Sequence, residues 1–215
     1  MQISNFYKFI AAVYDLLDVI YFHDTGNSPR KVVSKAIDTK DSVLDLCTGT
    51  GTMALRIARE NTESKVVGID LSPNMIGVAE GKLRKQSLDN INFFVMDATN
   101  ISFENHSFDK VLISLLLHEV DETLAAGILK EAVRLLKHDG QIIVTEWEPS
   151  KSLWKKLLFF PIHILEPKYY HAFLKKDLQA YFQGFGLKIV EKVSCDYSKV
   201  LILEREMNKP LSINI

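Results

Sequence analysis

The sequence predicts an α/β fold: an open, mostly parallel sheet of seven strands, helices on both faces, and an antiparallel last strand. Three observations carry this reading. Short β-rich runs alternate with stretches of helical periodicity, the pattern of a parallel sheet with crossover helices. A glycine-rich turn follows the first run, in Val43-Leu44-Asp45-Leu46-Cys47-Thr48-Gly49-Thr50-Gly51, and leads into the first helical stretch of this core. The last two runs are joined only by Ser194–Ser198, too short for a crossover, so they pair antiparallel.

The elements follow in order. Residues 5–20 place Phe6, Ile10, Val13 and Leu17 on one helical face. Residues 22–30, with Gly26, Asn27 and Pro29, read as a polar loop. Val43–Leu46 is the first strand and Thr52–Glu60 a helix. Lys65–Ile69 is the second strand, bounded by Asp70. Ser72-Pro73 is a helix start, because Ser caps and Pro suits the first turn. Ile76, Ala79 and Leu83 then mark its apolar face. Ile91–Met96 and Lys110–Leu116 are the third and fourth strands. Asp121 caps a helix with Leu124, Ile128 and Leu135 on its inner face. His138-Asp139-Gly140 reads as a turn before a fifth strand, Gln141–Thr145. A helix over Lys175–Phe182 ends at Gly184 and Gly186, and strands Leu187–Val193 and Lys199–Glu204 close the chain.

Composition bounds the function. The 215 residues suit one domain able to bury a full core. Basic and acidic residues nearly balance, 26 against 27, for a net charge of −1, which argues against a protein that coats nucleic acid. Two cysteines, Cys47 and Cys195, make no disulfide framework, and no CxxC or paired-His spacing suggests a metal site. No apolar run approaches the ~18–20 residues of a membrane span. Lys8, Asp15 and Asp18 interrupt the N-terminal apolar residues, unlike a signal peptide. A reducing, cytoplasmic setting is the expectation.

In such sheets ligands sit beyond the carboxyl ends of the strands, where strand order switches. Gly49 and Gly51 allow backbone to approach a ligand, and the helix after them offers free N–H groups. Asp70 ends strand two, placed to accept both hydroxyls of a ribose. Asp97, before Ala98, ends strand three, placed to accept an adenine amine. Three such residues at three successive strand ends point to an adenosine-bearing ligand. Gly49-x-Gly51-x-x-Ala54 also fits a dinucleotide fingerprint. Two features favour S-adenosylmethionine over NAD. Asp45 would repel a pyrophosphate but suits a methionyl ammonium, and the chain after strand five is too irregular for a second mononucleotide-binding half.

With these residues in view, the sequence resembles the class I S-adenosylmethionine-dependent methyltransferases, most of all the small enzymes of ubiquinone and menaquinone biosynthesis. The resemblance spans roughly residues 10–147, through VLDLCTGTG (Val43–Gly51), VVGIDLSPNM (Val66–Met75), FFVMDATN (Phe93–Asn100), SFDKVLISLLLHEV (Ser107–Val120) and LLKHDGQIIVTEW (Leu135–Trp147). It implies a Rossmann-like fold with S-adenosylmethionine as donor and S-adenosylhomocysteine as product. It also implies residue roles. Tyr14 closes over the cofactor carboxylate. Asp45, Cys47, Thr48, Gly49 and Gly51 form the turn around the methionyl end. Asp70 holds the ribose, Leu71 and Met75 lie against ribose or adenine, and Asp97 and Ala98 hold the adenine edge. Ser114 and Leu115 sit under the sulfonium, with His118 at the mouth. One departure stands out: the family often has glycine where Cys47 stands.

The implied reaction is in-line methyl transfer to a small acceptor. The Asn/Asp-Pro-Pro-Tyr signature of nucleobase amine methylation is absent. Strand four ends in Ser114-Leu115-Leu116-Leu117, which suits a lipophilic or aromatic acceptor. His118 and His171 are the candidate bases, because imidazole titrates near neutrality. Glu119 and Glu146 are weaker candidates. His23, His106, His138 and His163 read as loop or surface residues. A non-catalytic S-adenosylmethionine-binding module and an NAD-dependent oxidoreductase are the competing readings. One domain over 1–215 is expected, with 1–30 as an N-terminal cap and 148–172 as a lid over the acceptor. Residues 151–176 carry six lysines against Glu166, interleaved with Trp154, Phe159 and Phe160, a composition suited to contact with an anionic membrane surface.

Overall fold

The computed structural model describes residues 28–148 and 168–206. The N-terminal helix with Tyr14, and most of the lid and of the lysine-rich span, lie outside the described residues. The elements are α1 (Pro29–Lys35), β1 (Ser42–Leu46), α2 (Thr52–Glu60), β2 (Lys65–Asp70), α3 (Pro73–Leu83), β3 (Ile91–Val95) and β4 (Phe108–Ser114). They continue with α4 (Glu122–Leu135), β5 (Leu136–Trp147), α5 (Lys168–Leu174), α6 (Leu178–Gln183), β6 (Leu187–Ser194) and β7 (Ser198–Arg205).

The seven strands form one sheet in the order β3-β2-β1-β4-β5-β7-β6. β1 pairs in parallel with both β2 and β4, so strand order reverses beside it. β7 runs antiparallel to both β5 and β6, as the short connection before it requires. Side chains alternate across this sheet. Leu44, Leu46, Val111, Ile113, Ile142, Val144, Leu201 and Leu203 face one core, shared with α4, Phe173 and Phe182. Val43, Val66, Leu112, Ile143 and Val200 face a second core with α1, α2 and α3. Each strand in the middle of the sheet therefore reads as a nearly continuous apolar run, because both its faces are buried.

The expected caps are present: Ser72 accepts from the Met75 N–H and Asp121 from the Leu124 N–H. Four expectations are corrected. Pro29 does not sit in a loop; it opens α1, where its fixed φ suits the first turn, and Val33 of that helix packs into the second core. His138-Asp139-Gly140 lies within the long β5 rather than in a turn. Gly140 is tight there, because a Cβ would lie 2.7 Å from the Asp109 carbonyl oxygen. β4 stops at Ser114, because Leu115 turns into the left-handed region at φ +53°. The helix expected over Lys175–Phe182 starts only at Leu178, as α6, because Asp177 caps it by accepting from the Ala180 N–H; α5 ends before that span, at Leu174.

Candidate functional site

The site is built from loops that leave the carboxyl ends of β1, β2, β3 and β4, at the reversal of strand order. The turn after β1 is held at several points. Thr48 donates its N–H to the Ile69 carbonyl at 2.8 Å and its hydroxyl to Asp45 Oδ2 at 2.6 Å. Cys47, Gly49 and Gly51 all have positive φ, +54°, +57° and +73°. The two glycines do different things. A Cβ on Gly49 would meet no heavy atom within 4 Å, so its bare backbone borders open space. A Cβ on Gly51 would lie 2.7 Å from Phe93 Cζ and 2.8 Å from Ala79 Cβ. Gly51 is thus small because α2 packs against β3 and α3. Gly68, which sequence reasoning passed over, works the same way: a Cβ there would lie 2.6 Å from two Phe93 ring atoms and 3.0 Å from Thr48 Cγ2.

Asp70 is organised before any ligand arrives. Its Oδ2 accepts the Gly49 N–H and its Oδ1 the Ser72 N–H, both at 2.9 Å. The carboxylate therefore ties the first turn to the start of α3, and each oxygen keeps a further lone pair. Beside it Leu71 is 66% exposed, an unusual apolar surface at a strand end. Met75 is half-buried on the first turn of α3. Asp97 is exposed; the Thr99 N–H and hydroxyl both bond its Oδ1 at 2.8 Å and hold its pKa below the usual carboxylate range. Its Oδ2 is left to face outward, and Ala98 behind it is buried.

Asp45 is buried at the floor of this turn. Burial, with the nearby charge of Asp70, lifts its pKa to about 7 against the opposing Thr48 and Ala54 hydrogen bonds. Burial likewise pushes the Cys47 thiol up to about 12, and the charges of Asp70, Asp45, Asp97 and Glu119 add to that shift. Cys47 is accordingly an inert thiol near neutral pH. β4 pairs in parallel beside β1, so the loop after it leaves the sheet next to the glycine turn.

That loop is the second half of the site. Leu115 donates its N–H to the Thr145 carbonyl at 2.7 Å and packs with Trp147, Tyr170 and Tyr197. His118 does not lie open at the mouth; it is 1% exposed. Its Nδ1 is 2.5 Å from Glu146 Oε2, and Glu146, at 0% exposure, accepts the Leu117 N–H at 2.9 Å through Oε1. The Tyr170 ring stands edge-on to the imidazole with centroids 5.7 Å apart. His171 is not brought to this group. It lies on the exposed side of α5, while its neighbour Tyr170 points inward. The sequence signal for the His118–Glu146 pair is the one charged residue in the strand run Ile142–Trp147. Nothing in the sequence singles out Tyr170 over Tyr169. Among the described residues no group of three or more His, Cys, Asp or Glu could hold a metal ion.

The described residues fit S-adenosylmethionine on observations of their own: open space at Gly49, a pre-oriented Asp70 carboxylate, an exposed Leu71 and an outward-facing Asp97. Comparisons with known proteins agree. Residues 43–140 match a family model described as a methyltransferase domain. A demethylmenaquinone methyltransferase of Porphyromonas gingivalis is 31% identical over 186 residues, covering 84% of this chain and 74% of the relative. One of Staphylococcus saprophyticus is 30% identical over 196 residues, covering 89% and 82%. The crystal structure of a SAM-dependent methyltransferase from Aquifex aeolicus superposes with a TM-score of 0.70 at 18% identity, covering 90% of this chain and 97% of that one. The chain belongs to the class I S-adenosylmethionine-dependent methyltransferases of the menaquinone-biosynthesis type.

Proposed function

We propose that this methyltransferase acts on a small lipophilic aromatic acceptor of the quinol class. The observation that carries the reading is the aromatic wall beyond β4, where Leu115 and Tyr197 pack against the buried Trp147 and Tyr170. Such a wall rewards a flat apolar ring and would leave a polar headgroup poorly solvated. The names of the relatives, demethylmenaquinone methyltransferases, support the same acceptor class. A dinucleotide oxidoreductase is disfavoured, because the antiparallel β7 replaces the second parallel half such a site needs.

When bound, S-adenosylmethionine supplies an electrophilic methyl group on a positive sulfonium. The residues of this chain then have positioning work. Asp70 holds the ribose hydroxyls with its two pre-oriented oxygens. Leu71 and Met75 flank the adenosine, Asp97 Oδ2 accepts the adenine amine, and Ala98 leaves room for the ring. Gly49 opens the turn to the methionyl end, above Asp45. Ser114 and Leu115 border the space between donor and acceptor. Incubation with isotopically labelled S-adenosylmethionine and a panel of reduced, prenylated 1,4-naphthoquinones, catechols and primary amines tests the function. Labelled methyl is expected in the naphthoquinols; turnover confined to the amines would reject the acceptor class.

Asp45 gives this reading a pH signature. An ammonium ligand needs the carboxylate form, and the free protein holds that group protonated below about 7. Donor affinity is therefore expected to rise about tenfold between about pH 6 and pH 8 through this group. The same raised pKa acts oppositely on the free fold. Between the unfolded carboxylate value and about 7 the folded chain binds the extra proton, so this group's contribution to stability falls as pH rises. Calorimetric titration of wild type and Asp45→Asn across that range checks both the sign and the source. An unchanged slope in the variant removes Asp45 from the ammonium site.

A further inference from the structure

We propose that His118 is the catalytic base that removes the acceptor's proton, and that the buried Glu146 is its positioning partner. The inference rests on the acceptor reading above and narrows it to acceptors with an ionisable hydroxyl. Methyl transfer needs no base when the nucleophile carries no proton. A built acid–base pair that joins the loop after β4 to β5, at the same edge of the sheet as the donor turn, is therefore a statement about the substrate.

Four observations support the pair. Glu146 is fully buried in β5, a costly place for a carboxylate unless its partners are well made. Both its oxygens are engaged, Oε1 by the Leu117 N–H at 2.9 Å and Oε2 by His118 Nδ1 at 2.5 Å. This fixes the ring orientation and commits Nδ1 as the donor to Glu146, so Nε2 is the nitrogen that takes up a proton. A carboxylate in that position stabilises the imidazolium that results. Next, Nε2 lies 4.0 Å from Glu119 Oε1, and Glu119 is partly exposed, which offers the proton a route to solvent. β4 runs parallel beside β1, so the loop that carries His118 leaves the same edge of the sheet as the glycine turn. Finally, the imidazole is roofed by Tyr170 of α5 and flanked by Trp147, whose ring centroid is 6.5 Å away. Tyr170 covers the buried Nε2, so an acceptor must displace this ring to reach it.

The step balances. The acceptor O–H bond breaks and its proton bonds to Nε2. The electron pair left on oxygen, or on the ring carbon conjugated to it, forms the new bond to the methyl carbon. The sulfur–methyl bond breaks with its pair remaining on sulfur. A carbon-methylated ring then passes its own proton to the oxygen to regain aromaticity. His118 returns its proton to solvent through Glu119.

A structural latch joining the loop after β4 to β5 would use the same contacts, so the test must read proton transfer. Wild type, His118→Gln and Glu146→Gln are assayed on a series of substituted naphthols and naphthoquinols, from weakly acidic members to ones ionised at neutral pH. Binding of S-adenosylhomocysteine is followed by calorimetry as a readout independent of turnover. For weakly acidic members, His118→Gln is expected to lose about a hundredfold in kcat, with KM and product affinity unchanged. That loss should shrink to a few-fold for acceptors already ionised. Glu146→Gln, which can still accept the Leu117 N–H, should show the same trend at smaller size. If either variant fails to fold, the other carries the comparison. A penalty independent of acceptor acidity, or none at all, makes the pair a latch and overturns the proposal while the acceptor class stands. Failure of the wild type on every naphthol and naphthoquinol rejects the acceptor class and the proposal with it.

Discussion

Asp70→Ala is expected to weaken S-adenosylmethionine binding by about a hundredfold. A hydrogen bond to a charged group contributes roughly 1.5–3 kcal/mol. Two of them to a ribose diol, partly replaced by water in the variant, amount to about 2–4 kcal/mol. Each ~1.4 kcal/mol is a factor of ten in affinity. The free structure adds a second cause in the same direction. Asp70 also accepts the Gly49 and Ser72 N–H groups, so removing it loosens the turn and the first residues of α3 together. Asp70→Asn separates the two causes, because an amide oxygen keeps one backbone bond but the amide nitrogen cannot accept the other. Its affinity should fall between wild type and Asp70→Ala. Titration calorimetry with a parallel melting curve is the measurement. Wild-type affinity in a folded Asp70→Ala protein would take Asp70 out of the ribose site.

The second large effect is on stability. Gly51→Ala should cost about 2–5 kcal/mol. Left-handed backbone costs an ordinary residue roughly 1–2 kcal/mol, and overpacking a filled core adds roughly 1–3 kcal/mol. Gly51 incurs both, at φ +73° with Phe93 and Ala79 inside 3 Å of a new Cβ. Gly49 shares only the first cost, because its Cβ would enter open space. Gly49→Ala should therefore melt about 5 °C below wild type, whereas Gly51→Ala should melt about 10 °C lower. The order reverses for ligand binding, since the open face belongs to Gly49. Equal melting temperatures for the two variants would show that α2 can shift to absorb the methyl group.

The contrast between these glycines shows how far the sequence reaches into the site. Both read as residues that let backbone approach a ligand, because the motif VLDLCTGTG marks a tight strand-to-helix turn and nothing more local separates them. Only the folded chain sets Phe93, distant in sequence from both, against Gly51 and Gly68. The same applies to the histidines. His118, after an apolar strand end, and His171, beside two tyrosines, were both candidate bases in the sequence. The fold buries one beside Glu146 and leaves the other on the exposed side of α5. Pro29 failed as a loop marker for a different reason. Its backbone preference serves a helix's first turn as readily as a bend, and the choice depends on Val33 and Ile37 finding a core to enter.

By itself the sequence determined the class of fold, the parallel core with its antiparallel finish, the caps at Ser72 and Asp121, and the carboxylates Asp70 and Asp97 at or just past the ends of β2 and β3. Those features are encoded locally. Burial of both sheet faces writes continuous apolar runs, caps are satisfied within three residues, and a strand's end is marked by the polar residue that leaves the core. Tertiary structure alone decided which groups meet across the sheet. It joined Asp70 to Gly49, paired Glu146 with His118 over 28 positions, and brought Tyr170 over that imidazole. Such contacts depend on strand order and register, and a parallel sheet whose order reverses beside β1 places residues side by side that no local pattern connects.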